Sequence, residues 1–262
     1  MTVDVDGTAR EFLLRSPAHA GSDPLPVVVA LHGLGGSAEE FETAVGMTDR
    51  IAQDGFIAVY PQGALLADGL TRGWNAGNCC NVIGEPEADD IDFLAAILKV
   101  LPQYGADGDR VFLAGFSNGG MLAYRAACEL GDDIAGIAVV SGAFNVSDCP
   151  STTTMPVIIV HGTSDDFIPY AGGDSPRSIT DGLKPFTNPS VRDAVEVWIE
   201  RNGCDGADLS SPSRVVERVS YSGCEAGSSV DFFTIDGGFH VWPLAEWDFD
   251  ATGVILSEFV ED

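Results

Sequence analysis

Lysine is nearly absent from this chain. Lys99 and Lys184 are the only two, and 40 acidic side chains face 13 basic ones, for a formal net charge of −27. A surface of that sign repels phosphate backbones and anionic headgroups, which excludes nucleic acid and membrane as main partners. The plain reading is a solvated acidic surface. A sharper one is adaptation to high salt, where hydrated carboxylates are screened by counterions. Long apolar runs are also missing, since no uninterrupted stretch reaches the roughly 20 residues that cross a bilayer. Met1-Thr2-Val3-Asp4 lacks the basic start and apolar segment of a signal peptide. No Cys-x-x-Cys occurs and no cysteine spacing resembles a zinc site, so no metal is expected.

The six cysteines are Cys79, Cys80, Cys128, Cys149, Cys204 and Cys224. An even count fits disulfides and an oxidising compartment. Together with the missing leader it points to the mature form of a secreted protein carrying an added start methionine. Buried thiols in a cytosolic enzyme are the alternative. Cys204 and Cys224 flank a polar excursion and are expected to clip it. The pairing of the other four stays open, and the adjacent Cys79 and Cys80 are expected to have separate partners.

At 262 residues and 45% hydrophobic, the chain can bury one large core. Short apolar runs at 11–15, 26–31, 56–60, 110–114, 134–140, 157–160 and 230–235 read as strands. Segments 37–53, 89–101, 121–127, 191–202 and 252–260 read as helices, the first opened by a capping box of Ser37 and Glu40. Strands alternating with helices, without repeat or linker, predict a single doubly wound α/β domain over residues 1–262. Only residues 142–155 separate two successive strands where many hydrolases of this architecture insert a cap, so no large cap domain is expected. The excursions at 62–87 and 170–189 are expected to border an open cleft.

Gly115-Phe116-Ser117-Asn118-Gly119 sits between a strand and a helix. That is the context in which Gly-x-Ser-x-Gly forms a nucleophile elbow and holds a serine above the sheet edge. A serine hydroxyl needs a histidine to take its proton and a carboxylate to orient that histidine, in the chain order serine, acid, histidine. The four histidines are His19, His32, His161 and His240, and only the last two follow Ser117. His240 comes after the last strand and the flexible pair Gly237-Gly238, and is taken as the base. His161 is read as packed beside a turn. Asp165, one turn beyond a strand end, is chosen as the acid, with Asp166 the runner-up. The backbone N–H groups of Leu34 and Asn118 are assigned as oxyanion donors. Their side chains are given no role, and His32 is read as ordering the loop above it.

These residues also carry a resemblance. Val29-Ala30-Leu31-His32-Gly33, Tyr60-Pro61-Gln62-Gly63, Trp74-Asn75, the elbow through Met121, His161-Gly162-Thr163 with Asp165, Pro169-Tyr170, and Gly238 through Trp242-Pro243 are similar to polyhydroxybutyrate depolymerase-like esterases. That group includes the feruloyl and acetyl xylan esterases of carbohydrate esterase family 1. The resemblance implies a secreted α/β-hydrolase, free of metal and cofactor, that cleaves esters with Ser117, Asp165 and His240. It places Trp74 and Trp242 at the substrate cleft, Trp74 with a structural role as the alternative. Phe239 and Val241 depart from the family pattern beside the histidine.

The function expected is a serine esterase acting on feruloyl or other carbohydrate-linked esters. A depolymerase of polyhydroxyalkanoate or aromatic polyester ranks second. Dienelactone hydrolase activity is disfavoured because cysteine usually holds the elbow, and a peptidase because there is no length for an extra domain. A non-catalytic carbohydrate-binding protein is the alternative from a different class. Oligomeric state is not legible from the residues, and a monomer is expected.

Overall fold

The computed structural model describes residues 1–18, 23–66, 68–77, 89–176 and 186–260. Ten strands form one sheet. They are β1 (Thr2–Val5), β2 (Thr8–Arg15), β3 (Leu25–Leu31), β4 (Ile57–Pro61), β5 (Ala106–Phe116), β6 (Gly136–Val140), β7 (Val157–Gly162), β8 (Gly206–Ser210), β9 (Val216–Ser222) and β10 (Val230–Ile235). Their spatial order is β1-β2-β4-β3-β5-β6-β7-β10-β9-β8. The six from β4 to β10 in that order pair in parallel. Antiparallel strands finish both edges.

The central strands are apolar runs because both of their faces are covered. One face carries α2 (Asp90–Val100), α3 (Asn118–Glu129) and α4 (Val191–Asn202), whose Leu94, Leu122 and Trp198 share a core with Val29, Leu113 and Ile159. The other carries α1 (Ala38–Val45) and α5 (Ala251–Phe259), packed on Val28, Ala114 and Ile158. Alternate residues of each strand therefore feed different cores.

Several expectations are corrected. The helix foreseen over 37–53 ends at Val45, because Gly46 closes it at φ 64° and short helical turns follow. Only half of its capping box forms: Ser37 Oγ accepts from the Glu40 N–H, and the Glu40 carboxylate accepts the Ser37 hydroxyl. Strand β1 and the hairpin β8–β9 were not anticipated. They lie toward the sheet edges, where β1 buries only its alternate Val3 and Val5, β9 is mostly half-buried and β8 mostly exposed, so no continuous apolar run marks them.

That hairpin is the polar excursion, and Cys204–Cys224 clips its base as expected. A second disulfide joins Cys128 at the end of α3 to Cys149 in the loop after β6. By the chain-entropy account, loops of about this size gain roughly 3 kcal/mol each. Cys79 and Cys80 lie outside the described residues, as do parts of both long excursions. A buried ion pair at 2.7 Å, Arg10 with Asp90, anchors β2 to the start of α2. The second Asp90 oxygen accepts the Asn75 N–H, and the guanidinium lies over the Phe93 ring. No helix among the described residues is long and apolar enough to cross a membrane.

Candidate active site

Ser117 joins central strand β5 to α3 with φ 54° and ψ −121°. A non-glycine residue there costs on the order of 1–3 kcal/mol, which the surrounding fold must offset. The glycines around it are required by packing. A Cβ on Gly115 would collide with the backbone of Gly119, and one on Gly119 would collide with the carbonyls of Leu31 and His32. Helix α3 therefore starts hard against β3 and β5, and the serine is forced outward. Its own N–H is tied to the Val140 carbonyl at 2.9 Å.

The Ser117 hydroxyl donates to His240 Nε2 at 2.9 Å, and His240 Nδ1–H donates to Asp165 Oδ2 at 2.8 Å. Asp165 Oδ1 accepts the N–H groups of Phe167 and Ile168. Burial of this carboxyl opposes its ionisation, but hydrogen bonds from His161 and His240 prevail and hold it well below the usual carboxylate range. Asp166, one residue on, is exposed. The His240 ring lies between Phe116 and Phe167, with ring centres 4.9 and 5.1 Å away, and these fix its plane.

The loop that carries His240 is clamped, which corrects the reading of Gly237-Gly238 as a flexible arm. Gly238 packs so closely on Gly162 that neither has room for a side chain, and its carbonyl accepts the Ser164 N–H. Glycine here permits close approach of two backbones.

Leu34 lies three residues past β3, in a loop pinned on several sides. The Gly35 N–H donates to the Arg72 carbonyl at 2.7 Å. His32 donates from Nδ1 to the Gly33 carbonyl and accepts the Gly63 N–H at Nε2. Burial lowers the pKa of His32, consistent with the neutral form this bonding requires. Asn118 is the first residue of α3, and its side chain is not idle. It accepts from the Trp74 N–H and donates to the Trp74 carbonyl, stitching that loop to the elbow. The Leu34 side chain packs directly on Gly73. Sequence reasoning missed both roles, because it weighed only backbone groups at these positions.

The two tryptophans part company. Trp74 is fully buried against His32 and donates Nε1–H to the His32 carbonyl, so its assignment to the cleft surface is corrected to a structural one. Trp242 lies edge-on to Phe41 at 5.4 Å and lines a cavity of about 370 Å³. Leu34, Ala44, Phe116, His240 and Val241 contribute to the same walls. Exposed Phe239 instead borders a neighbouring cleft with Val241 and Trp247.

A profile of the dienelactone hydrolase family matches residues 11–181, about two thirds of the chain, including Ser117 and Asp165. The chain belongs to the dienelactone hydrolase family. This member carries serine at the elbow, the feature that had argued against dienelactone hydrolase activity. It is 29% identical over 252 residues to feruloyl esterase B of Piromyces equi, which covers 92% of this chain but only 44% of that protein. It is 30% identical over 259 residues to the putative esterase NocK of Nocardia uniformis subsp. tsuyamanensis, covering 92% of this chain and 73% of that protein. Among solved structures, an acetyl xylan esterase from Aspergillus awamori superposes with a TM-score of 0.63 at 18% identity, over 92% of this chain and 93% of that one. A Bacillus cereus carboxylesterase superposes at 0.61 and 13% identity, over 95% and 94%. The fold of this family member is that of an α/β-hydrolase, with no large cap among the described residues.

Proposed function

We propose that this chain, as one catalytic domain over residues 1–262 of a secreted protein, hydrolyses carboxylic esters through an acyl-enzyme on Ser117. The observation that carries this reading is the continuous hydrogen-bond line from Ser117 Oγ through His240 to Asp165. His240 takes the serine proton as Oγ attacks the ester carbonyl, and then protonates the departing alcohol. It next activates water to release the acid. Asp165 keeps the imidazole in the tautomer with Nδ1–H and stabilises its charged form. The N–H groups of Leu34 and Asn118 receive the oxyanion, and loss of one such donor typically costs about 2.7–4 kcal/mol in the barrier.

Feruloyl or related carbohydrate-linked esters rank first as substrates. The relatives named feruloyl esterase support this, and so does the cavity beside His240, walled by Phe41, Phe116 and Trp242. In an ester between an aromatic acid and a sugar, the ring is the half that suits such walls. Polyesters, aliphatic or aromatic, are the second reading, supported by the same apolar walls.

Methyl ferulate, p-nitrophenyl acetate and polyester film separate the readings. Ala44→Phe, which fills the cavity, is expected to lower kcat/KM for methyl ferulate roughly tenfold and to leave p-nitrophenyl acetate nearly unchanged. Turnover of film but not of methyl ferulate would move the assignment to polyesters. No turnover of any ester by folded protein would refute it.

A further inference from the structure

Resting on that reading of Ser117, Asp165 and His240, we infer that His161 is a positioning residue. It acts as a second histidine donor to Asp165, keeps that carboxylate ionised and fixes its aim at His240. His161 closes β7, is wholly buried, and touches no group that would react. Its Nε2 lies 2.8 Å from the Ile168 carbonyl and 3.4 Å from Asp165 Oδ2. Both of these are acceptors, so the ring proton resides on Nε2 and is shared between them. Nδ1 is then a lone pair, buried with no hydrogen-bond partner among the described residues. A neutral bare acceptor is the cheapest way to bury an unpaired ring nitrogen, since an unpaired N–H or a charge would cost more.

The arrangement gives Asp165 donors on every side. Phe167 and Ile168 hold Oδ1, while His240 and His161 approach Oδ2 from the loop after β10 and from β7. The bond from His161 to the Ile168 carbonyl also closes the turn whose N–H groups grip Oδ1. One imidazole thus braces both the carboxylate and its cradle. The other titratable neighbour is Tyr170, edge-on to His161 at 6.1 Å, with its hydroxyl hydrogen-bonded to Thr234. Three acidic residues, Asp236, Glu246 and Asp248, line the cleft that His161 also borders.

Without the His161 N–H, the carboxylate is less well solvated by the protein and protonates more readily. This moves the acid limb of activity toward higher pH.

The test compares wild type, His161→Leu, His161→Gln and Asp165→Asn by pH profiles of kcat/KM on p-nitrophenyl acetate, with thermal melting alongside. His161→Leu is expected to lower plateau kcat about ten- to a hundredfold with KM little changed, and to shift the acid limb upward. His161→Gln, which can return an N–H toward Asp165, is expected to recover most of both. A lower melting temperature with an unmoved acid limb in both variants would reduce His161 to a structural residue and overturn the proposal. Should His161→Leu not fold, His161→Ala takes its place: an acid limb shifted upward in the Ala variant and restored in the Gln variant supports the N–H role, and an unmoved limb in both contradicts it. If Asp165→Asn itself hydrolyses esters like wild type, the reading of the three catalytic groups fails instead.

Discussion

At the residue scale, the strongest constraints fall on Ser117 and Asp165. Ser117 occupies a backbone conformation that only a tightly packed elbow sustains. Asp165 has four hydrogen-bond donors and little solvent. Because its folded pKa is depressed, its ionised form contributes stability that is complete above the unfolded value of about 3.9. That contribution is lost as pH falls through the lower folded value. Urea unfolding from pH 6 down to pH 2.5 is expected to show a steeper loss of stability in wild type than in Asp165→Asn. Parallel curves would show that Asp165 is not the group responsible. These residues were legible because the chemistry leaves few options: one serine in an elbow, and two histidines after it. The partners of Asn118, the burial of Trp74 and the second histidine on Asp165 were not legible. They depend on loops that meet only in the folded chain, 44 residues apart for Asn118 and Trp74.

At the scale of elements, the site is a consequence of how α3 enters the sheet. Gly119 lets the helix start against the last carbonyls of β3, and this positions the Asn118 N–H. Gly119→Ala is expected to push the helix away, costing about 1–3 kcal/mol or more of stability and lowering kcat in addition. Chemical unfolding and steady-state rates check both, and unchanged values would show that the close approach is not required. The central strands could be read directly, since burial on two faces leaves an apolar run of the right length. The edge strands could not, because β8 is exposed along nearly its whole length and carries polar side chains. Helix α1 was overrun for a different reason. Apolar spacing continues past Gly46, but the left-handed glycine ends the helix regardless.

At the scale of the whole molecule, a formal excess of 27 negative charges repels itself, and dissolved counterions screen that repulsion. Melting from low to molar potassium chloride is expected to raise the transition temperature progressively. A flat or falling series would leave the acidic surface as a matter of solubility alone. Placement of Ser117, His240 and Asp165 at the carboxyl edge of the parallel strands β5, β10 and β7 follows the general rule for sites in open α/β sheets. It is also what permits three side chains far apart in sequence to form one relay.

The most direct measurement is labelling by a serine-directed phosphonate, with the modified residue located by mass spectrometry and hydrolysis of methyl ferulate followed in parallel. The account predicts one adduct per chain, on Ser117, with loss of turnover, and neither adduct nor turnover in Ser117→Ala. An adduct elsewhere, or full ester hydrolysis by Ser117→Ala, would contradict it.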